Sequence, residues 1–398
     1  MSEWKKVKLK DVSINITDGK HGDCKGQDGS GYYFVSCKDV YDGDIHYENA
    51  RQITKEDFDD ADKRTKLAPN DILITNSGTI GRMAFVKDQF ETRKTTFQKS
   101  VAIVKPDNSK VYPHYLYYLL KSKVNDFVNS SNGAAQKNLL LSTMRDFDLH
   151  IEDSIIIQRQ ISSVLSRYDS LIENYQKQIN LLEEAAQRLY KEWFVDLHFP
   201  GHETTKIVDG VPEGWEKKPI SQLGEYLNGF AFKPSDWQDS GKPIIKIKEM
   251  GNGVSNDTPR NNGERVPVKY LVKAGDLLFS WSATLMVIVW SGEEGWLNQH
   301  LFKVTPAKGI GREFLLQSIS NTIEEFQNLT TGSTMKHIQR NKLDQVFTNV
   351  PNDEIMALYS NFAESMRNQI LHLSSQISLL TEARDRLLPK LMSGEIKA

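Results

Sequence analysis

Apolar residues along 161–193 recur at alternating spacings of four and three: Ile161, Leu165, Tyr168, Ile172, Tyr175, Ile179, Leu182, Ala186, Leu189 and Trp193. This is a heptad seam held for more than four repeats, the mark of a helix that packs on another helix. A helix lying over its own globular domain would carry a wider apolar face. The seam returns 198 residues later as Tyr359, Ala363, Met366, Ile370, Leu373, Ile377, Leu380, Arg384, Leu387 and Leu391, with Arg384 its polar member. Neither stretch holds Pro or Gly before Pro389. At about 1.5 Å per residue each predicts a helical rod of roughly 50 Å. Two such helices in one chain most simply pack on each other.

Ahead of each helix the pattern changes. Short β-like runs at Tyr32–Val35, Ile72–Thr75, Met83–Val86 and Ser100–Val104 are separated by turn signals such as Asp18-Gly19, Asp42-Gly43 and Pro69-Asn70. Residues 215–350 repeat the theme at Pro243–Ile247, Leu277–Trp281, Met286–Trp290 and Leu301–Val304. Each part also carries a shorter helix-like run, Tyr115–Val128 and Phe314–Phe326. Between them a polar stretch from Phe199-Pro200-Gly201 to Pro212-Glu213-Gly214 reads as a linker.

The two halves align in order. Asp71–Ile80 matches Asp276–Leu285, 205 apart; Gln98 matches Gln299, 201 apart; Gly133–Lys137 matches Gly332–Lys336, 199 apart; Leu182–Leu189 matches Leu380–Leu387, 198 apart. Chance matches do not stay collinear, so the chain is a duplicated unit of about half its length, each copy ending in a helix. The reading divides the chain into 1–150, 151–199, 200–350 and 351–398.

Composition narrows the class. The 398 residues suit two or three domains, and 26% charged residues suit a globular chain. Two cysteines, Cys24 and Cys37, exclude a disulfide scaffold and suit a reducing compartment. The first residues lack an apolar signal core, and runs such as Leu285–Trp290 are too short to span a bilayer. A cytoplasmic protein without membrane association is expected.

Chemical motifs are sparse. There is no phosphate loop of the Gly-x4-Gly-Lys-Ser/Thr kind, and Gly26, Gly29 and Gly31 precede a strand rather than a helix. His21, Cys24, Cys37 and His46 lack the paired close spacing of a zinc set. The acidic run Asp57, Asp59, Asp60 and Asp62 reads as a solvated face. No nucleophile has a recognisable flank, and no Asn/Asp-Pro-Pro-aromatic stretch marks amino-group methylation.

The net charge of −2 argues against a uniformly basic surface but hides local contrast. Both helical stretches are net acidic, whereas Arg82–Lys105 holds Arg82, Lys87, Arg93, Lys94, Lys99 and Lys105 against Asp88 and Glu91. Thr92, Thr95, Thr96 and Gln98 are interleaved with them, so the run offers cations for phosphates and neutral groups for base edges. In the second copy Lys233, Lys242, Lys246 and Lys248 fall near Phe230, Phe232 and Trp237. The loop Thr75-Asn76-Ser77-Gly78-Thr79-Ile80-Gly81-Arg82 follows an apolar strand with glycines that admit close backbone approach. The second copy has Ala283 and Met286 where the first has Gly78 and Gly81, a shared scaffold with different surface chemistry.

The chain resembles the specificity (S) subunit of Type I restriction-modification systems. The resemblance rests on Leu387-Leu388-Pro389-Lys390-Leu391-Met392-Ser393-Gly394-Glu395-Ile396, Leu189-Tyr190-Lys191-Glu192-Trp193-Phe194-Val195-Asp196, Asn70–Gly81, Asp18-Gly19-Lys20-His21-Gly22 and Gly229-Phe230-Ala231-Phe232-Lys233, and it covers nearly the whole chain. It implies an α+β protein with two similar α/β-type target recognition domains, 1–150 and 200–350. Each is followed by a long helical region, 151–199 and 351–398, the two helices packed as an antiparallel coiled coil. It further implies a non-catalytic protein. Each domain reads half of a bipartite site in double-stranded DNA, and the coiled coil sets the spacer and docks two modification (methyltransferase) subunits. Those partners, not this chain, hold S-adenosylmethionine, and restriction (motor and nuclease) subunits can join. A related system with fused methylase and nuclease partners fits the same sequence. A protein-only coiled-coil adaptor is separable from both by its lack of salt-dependent DNA binding.

From loop position and side-chain type, the expected DNA contacts in the first half are Lys20, His21, Thr75, Ser77, Thr79, Arg82, Arg93, Lys94, Gln98, Lys99, Gln136 and Lys137. In the second half they are Phe230, Lys233, Lys246, Ser280, Trp281, Thr284, Gln299, His300 and Lys336.

Overall fold

The computed structural model describes residues 4–41, 43–131, 138–255, 257–329 and 340–398. The chain forms two compact units, Met1–Ile172 with Leu380–Ala398, and Glu173–Leu379. Both long helices therefore contribute to both units.

The first unit is built on a four-stranded antiparallel sheet in the order Ser13–Asp18, Val101–Pro106, Ile72–Thr75, Met83–Phe85. Ile72–Thr75 is buried at every position, because both faces of the sheet are covered. On one face Ile72, Ile74, Ala102 and Val104 pack with Tyr115, Leu116 and Leu119 of the helix Pro113–Ser122. On the other, Leu73, Ala84, Val101 and Ile103 pack with Val35, Val40 and Phe97. This explains why the strand reads as a continuous apolar run instead of alternating. Tyr33–Val35 and Phe97 belong to a second, three-stranded sheet, Arg51–Gln52, Tyr33–Val35, Thr95–Phe97, whose last two strands are parallel.

The second unit repeats this plan. Its antiparallel sheet runs Gly224–Asn228, Leu301–Pro306, Leu277–Ser280, Met286–Val289, the same order by chain position. Its second sheet again contains a parallel pair, Lys242–Ile245 with Gly295–Leu297. In each unit an antiparallel strand pair leads into a long helix, Trp4–Lys8 with Asp148–Glu152 and Glu216–Pro219 with Phe347–Val350. The expected shorter helices are each split in two: Pro113–Ser122 and Val124–Asn129, then Arg312–Asn321 and Ile323–Asn328. The breaks fall at Lys123 and Thr322, with ψ of 11° and 3°, where neither Pro nor Gly signals them. The acidic run of the first half lies on the helix Lys55–Thr65. Thr54 Oγ1 caps it by accepting from Asp57 N, and Glu56 and Asp57 stand in the first turn with Lys63 and Arg64 in the last, all favourable to the helix dipole.

The long helices are Ile155–Tyr190 and Asp353–Met392, the first continued by a π turn, Lys191–Val195, that buries both Trp193 and Phe194. In the first unit Ile161 and Leu165 share a core with Leu388, Leu391 and Met392. In the second, Tyr175, Ile179 and Leu182 pack with Ile370, Leu373 and Ile377, and Tyr190 meets Tyr359. Later residues of one helix meet earlier residues of the other, so the pairing is antiparallel along the expected seam. No helix among the described residues is long and apolar enough to cross a membrane.

Candidate nucleic-acid interface

In the first unit, strand Ser13–Asp18 ends, Val101–Pro106 begins, Ile72–Thr75 ends and Met83–Phe85 begins at one end of the sheet. The loops 18–22, 75–82 and 98–100 therefore emerge side by side. Backbone bonds lock them together: Lys20 N donates to Phe97 O (2.7 Å), Lys99 N to Lys20 O (3.2 Å) and Asn76 N to Ser100 O (3.0 Å). The segment after residue 137 joins them, with Leu139 N donating to Asn76 O (2.8 Å) and Ser77 bridged to Asn138. A Cβ on Gly19 would collide with the Phe97 carbonyl, so glycine permits the close approach of the 18–22 loop.

The second unit makes the same construction. Phe230 N donates to Leu297 O (2.8 Å), Gly229 N to Leu301 O (3.0 Å) and Trp281 N to His300 O (3.4 Å), and Gly229 is as crowded by Asn298 as Gly19 is by Phe97. These bonds correct the sequence alignment by one residue. Gln98 N donates to Val35 O and Asn298 N to Ile245 O, so Gln98 corresponds to Asn298, Lys99 to Gln299 and Ser100 to His300. Ala283 takes φ 56° where Gly78 has φ 79°, a left-handed turn kept in both copies.

Thr75 and Ser280, expected as contacts, are fully buried. Thr75 Oγ1 donates to Thr79 O and accepts from Arg82 N (2.9 Å); Ser280 Oγ donates to Thr284 O and accepts from Met286 N (3.0 Å). Their hydroxyls close the loop, and the residues the loops present are Ser77, Thr79 and Arg82 in one unit and Trp281 and Thr284 in the other, with Thr79, Arg82 and Thr284 exposed.

The stretch Arg82–Lys105 does not form one basic patch. Lys87 bonds Asp44 (2.6 Å), and Lys105 is held in a largely buried pair with Asp71. Arg93 and Lys94 precede strand Thr95–Phe97, at its opposite end from Gln98 and Lys99. Arg93 stands 4.0 Å from Asp88, and the Lys94 ammonium lies over the Phe90 ring (4.3 Å). Lys20 is at the loop end but is claimed by Asp60 (3.2 Å) and Asp57 (3.5 Å), and the Asp60 bond holds its ammonium above the usual lysine range. His21 is exposed beside the buried Asp18 (3.1 Å), which also binds Arg64. Arg82 and Lys99 are exposed at the loop end and pair with no carboxylate among the described residues.

In the second unit Phe230 packs on Phe232 (4.9 Å) and Tyr270 (5.7 Å) and so shapes its loop. Lys233 is exposed, and the Lys246 ammonium lies over the half-exposed Trp237 ring (5.2 Å). The Trp281 indole donates to Asn228 Oδ1 (3.1 Å), and Gln299 accepts from Asn298 Nδ2 (2.9 Å). Gln136, Lys137 and Lys336 lie outside the described residues.

Four residues were not among the expected contacts. Lys38 is exposed on the turn Cys37–Asp39, which follows strand Tyr33–Val35 and bonds the 98–100 loop through Cys37 N and Ser100 Oγ (3.2 Å). Lys269 is exposed beside Tyr270. Trp237 supplies an aromatic face next to Lys246. Asn76 is buried with Oδ1 lacking a partner, as is His300 Nδ1 in the other unit. Ser36-Cys37-Lys38-Asp39 and Lys246-Ile247-Lys248-Glu249 share a polar-x-x-acid turn signal, which marks Lys38 in retrospect.

Comparison with known proteins follows the same duplication. The family model described as "Type I restriction modification DNA specificity domain" matches residues 1–184 and 212–370. The chain is 24% identical to the Type I restriction enzyme MjaIX specificity subunit of Methanocaldococcus jannaschii, over 99% of this chain and 94% of that protein. It is 25% identical to the HindI specificity subunit of Haemophilus influenzae over 100% of both. Among solved structures, the Type-I restriction-modification system S subunit from M. genitalium aligns with a TM-score of 0.52 at 13% identity, covering 98% of this chain and 96% of that one, a likeness of fold.

Proposed function

The chain belongs to the Type I restriction-modification DNA specificity family, the non-catalytic DNA-recognition component of those systems, and from that premise we propose that each unit reads one half of a bipartite duplex sequence through its loop end. The observation that carries this reading is the duplicated loop end with unlike side chains. One set of backbone bonds holds Asn76, Ser77, Thr79, Arg82 and Lys99 in the first unit and Trp281, Thr284, Lys246 and Gln299 in the second. A shared scaffold with different donors, acceptors and rings is what two readers of different half-sites require.

Arg82, Lys99 and Lys38 neutralise phosphates and set the register, while Ser77, Thr79 and Gln98 address base edges. In the second unit Lys233, Lys246 and Lys269 take the phosphate role, and Trp281, Thr284 and Gln299 face the bases. Family proteins assemble with other subunits and DNA. The finer reading is that two modification subunits dock here, hold S-adenosylmethionine and methylate adenine, with restriction subunits joining them, in the cytoplasm.

The test is co-expression with the cognate modification subunits and sequencing of methylated adenines. Thr79→Ala with Arg82→Ala relaxes one half-site and leaves the other intact; Thr284→Ala with Lys246→Ala does the reverse. Relaxation of both halves by either pair contradicts the assignment.

A further inference from the structure

At the other end of the first unit's sheet lies a cavity of about 200 Å³ lined by Tyr112, His114, Arg159, Ser162, Ser163 and Ser166. Tyr112 and His114 stand at the start of helix Pro113–Ser122, and the other four on the first turns of the long helix Ile155–Tyr190. His114 packs on Phe85 (3.8 Å), which ends the strand that Met83 begins beside the recognition loops. The Arg159 guanidinium lies over the Tyr112 ring (4.6 Å) and pairs with no carboxylate among the described residues. Ser162 Oγ donates to Gln158 O (2.6 Å) and Ser166 Oγ to Ser163 O (3.3 Å). The donors left along the wall are Arg159, the Ser163 hydroxyl and the His114 ring.

The second unit fills the matching place from within. Its domain helix Arg312–Asn321 carries Glu313 in the register of His114. Glu313 is buried, accepting from Arg367 Nε (3.0 Å) and Arg312 Nε (3.1 Å). Gly311, in the register of Tyr112, lets that helix start hard against Ser360. One copy thus joins its domain helix to a long helix through a carboxylate held by guanidinium groups. The other has Arg159, hydroxyl groups and an open space, and the carboxylate near His114, Asp169 at the position of Arg367, is already engaged by Arg384 (2.7 Å) and the Tyr118 hydroxyl (2.5 Å).

We propose that this cavity is a binding site for an oxyanion, a phosphate or carboxylate that pairs with the Arg159 guanidinium. Such a group accepts a charge-assisted bond from Arg159 and further bonds from Ser163 and His114. Free inorganic phosphate and an acidic side chain of a partner subunit present this chemistry alike. The site is separate from the recognition loops, so its test does not depend on the DNA-reading assignment.

The full chain is titrated with inorganic phosphate against chloride at equal ionic strength, reading the thermal midpoint and the His114 resonance of 13C-histidine-labelled protein. Millimolar phosphate raises the midpoint and shifts His114 in the natural chain. Neither change occurs in Arg159→Gln, nor in Ser166→Glu, which supplies an internal carboxylate. A response that survives both substitutions overturns the proposal. A second arm measures affinity for the co-purified modification subunits. If phosphate gives no response but Arg159→Gln weakens that assembly about tenfold, with Arg159→Lys partly restoring it, the oxyanion is the partner's carboxylate. No phosphate response together with unchanged assembly overturns the proposal.

Discussion

Thr75 and Ser280 occupy the mouth of each recognition loop, yet their hydroxyls face inward and tie the two ends of the loop together. Thr75→Val keeps the shape and removes a donor and an acceptor at once, leaving the Arg82 N–H and the Thr79 carbonyl short of a partner. The expected loss is about 2 kcal/mol by urea unfolding, with Thr75→Ser close to the natural chain. The unpaired cations behave differently. Replacing Arg82 and Lys99 with Ala removes about two phosphate contacts, so the slope of log K against log salt falls by roughly 2. Lys87→Ala, which loses an ammonium already held by Asp44, leaves the slope unchanged. A slope that responds equally to all three places the phosphate track elsewhere.

At the scale of elements, Arg384 is the polar member of an otherwise apolar seam. Its guanidinium binds Asp169 (2.7 Å), which also accepts from the Tyr118 hydroxyl (2.5 Å), so a helix–helix contact and a helix–domain contact share one carboxylate. Asp169 and Arg367 are 198 residues apart, the same position in the two copies, and both tie a long helix to a domain helix with opposite charge. Arg384→Leu completes the seam in hydrophobic terms but uncovers Asp169. We expect a loss of about 1–2 kcal/mol and a favourable coupling in a double-mutant cycle with Asp169→Leu.

Tyrosines are also buried on the domain helix Pro113–Ser122, the strand Gly224–Asn228 and the long helix Asp353–Met392. Burial pushes the Tyr115 hydroxyl from 10.0 up to about 12, and those of Tyr117, Tyr118, Tyr226 and Tyr359 further. A raised folded-state value means full stability below the unfolded value near 10 and loss as pH climbs toward 12. Each tyrosine then costs about 1.4 kcal/mol per pH unit. Urea unfolding at pH 9 and pH 11 measures the drop, and equal stability at the two contradicts it.

For the whole molecule the duplication governs what is expected. Each long helix has its residues divided between the two compact units. Deleting one heptad from 161–193 together with one from 359–391 should change the spacer between half-sites while preserving the half-site sequences, as mapped by methylated adenines. An unchanged spacer with full activity removes the helices from that role.

The duplication, the strands and both long helices were legible because they are written in local periodicity, and the seam from Ile161 to Leu391 appears where the spacing put it. The loops were legible as places but only partly as chemistry. Thr75, Lys20 and Lys105 looked like ligand groups and are engaged within the fold, whereas Lys38 and Lys269 carried little signal and stand exposed near the loop ends. Even the match of Gln98 to Asn298 needed the backbone bonds, because a one-residue slip costs nothing in an alignment.

By itself, then, the sequence determined the elements, their repetition and the family, since periodicity and motif are properties of neighbouring residues. Only the tertiary structure decided which polar groups are consumed and which remain for a ligand. The partners that consume them, Asp71 for Lys105 or Asp18 for Arg64, lie 34 and 46 residues away, and no local pattern encodes that pairing.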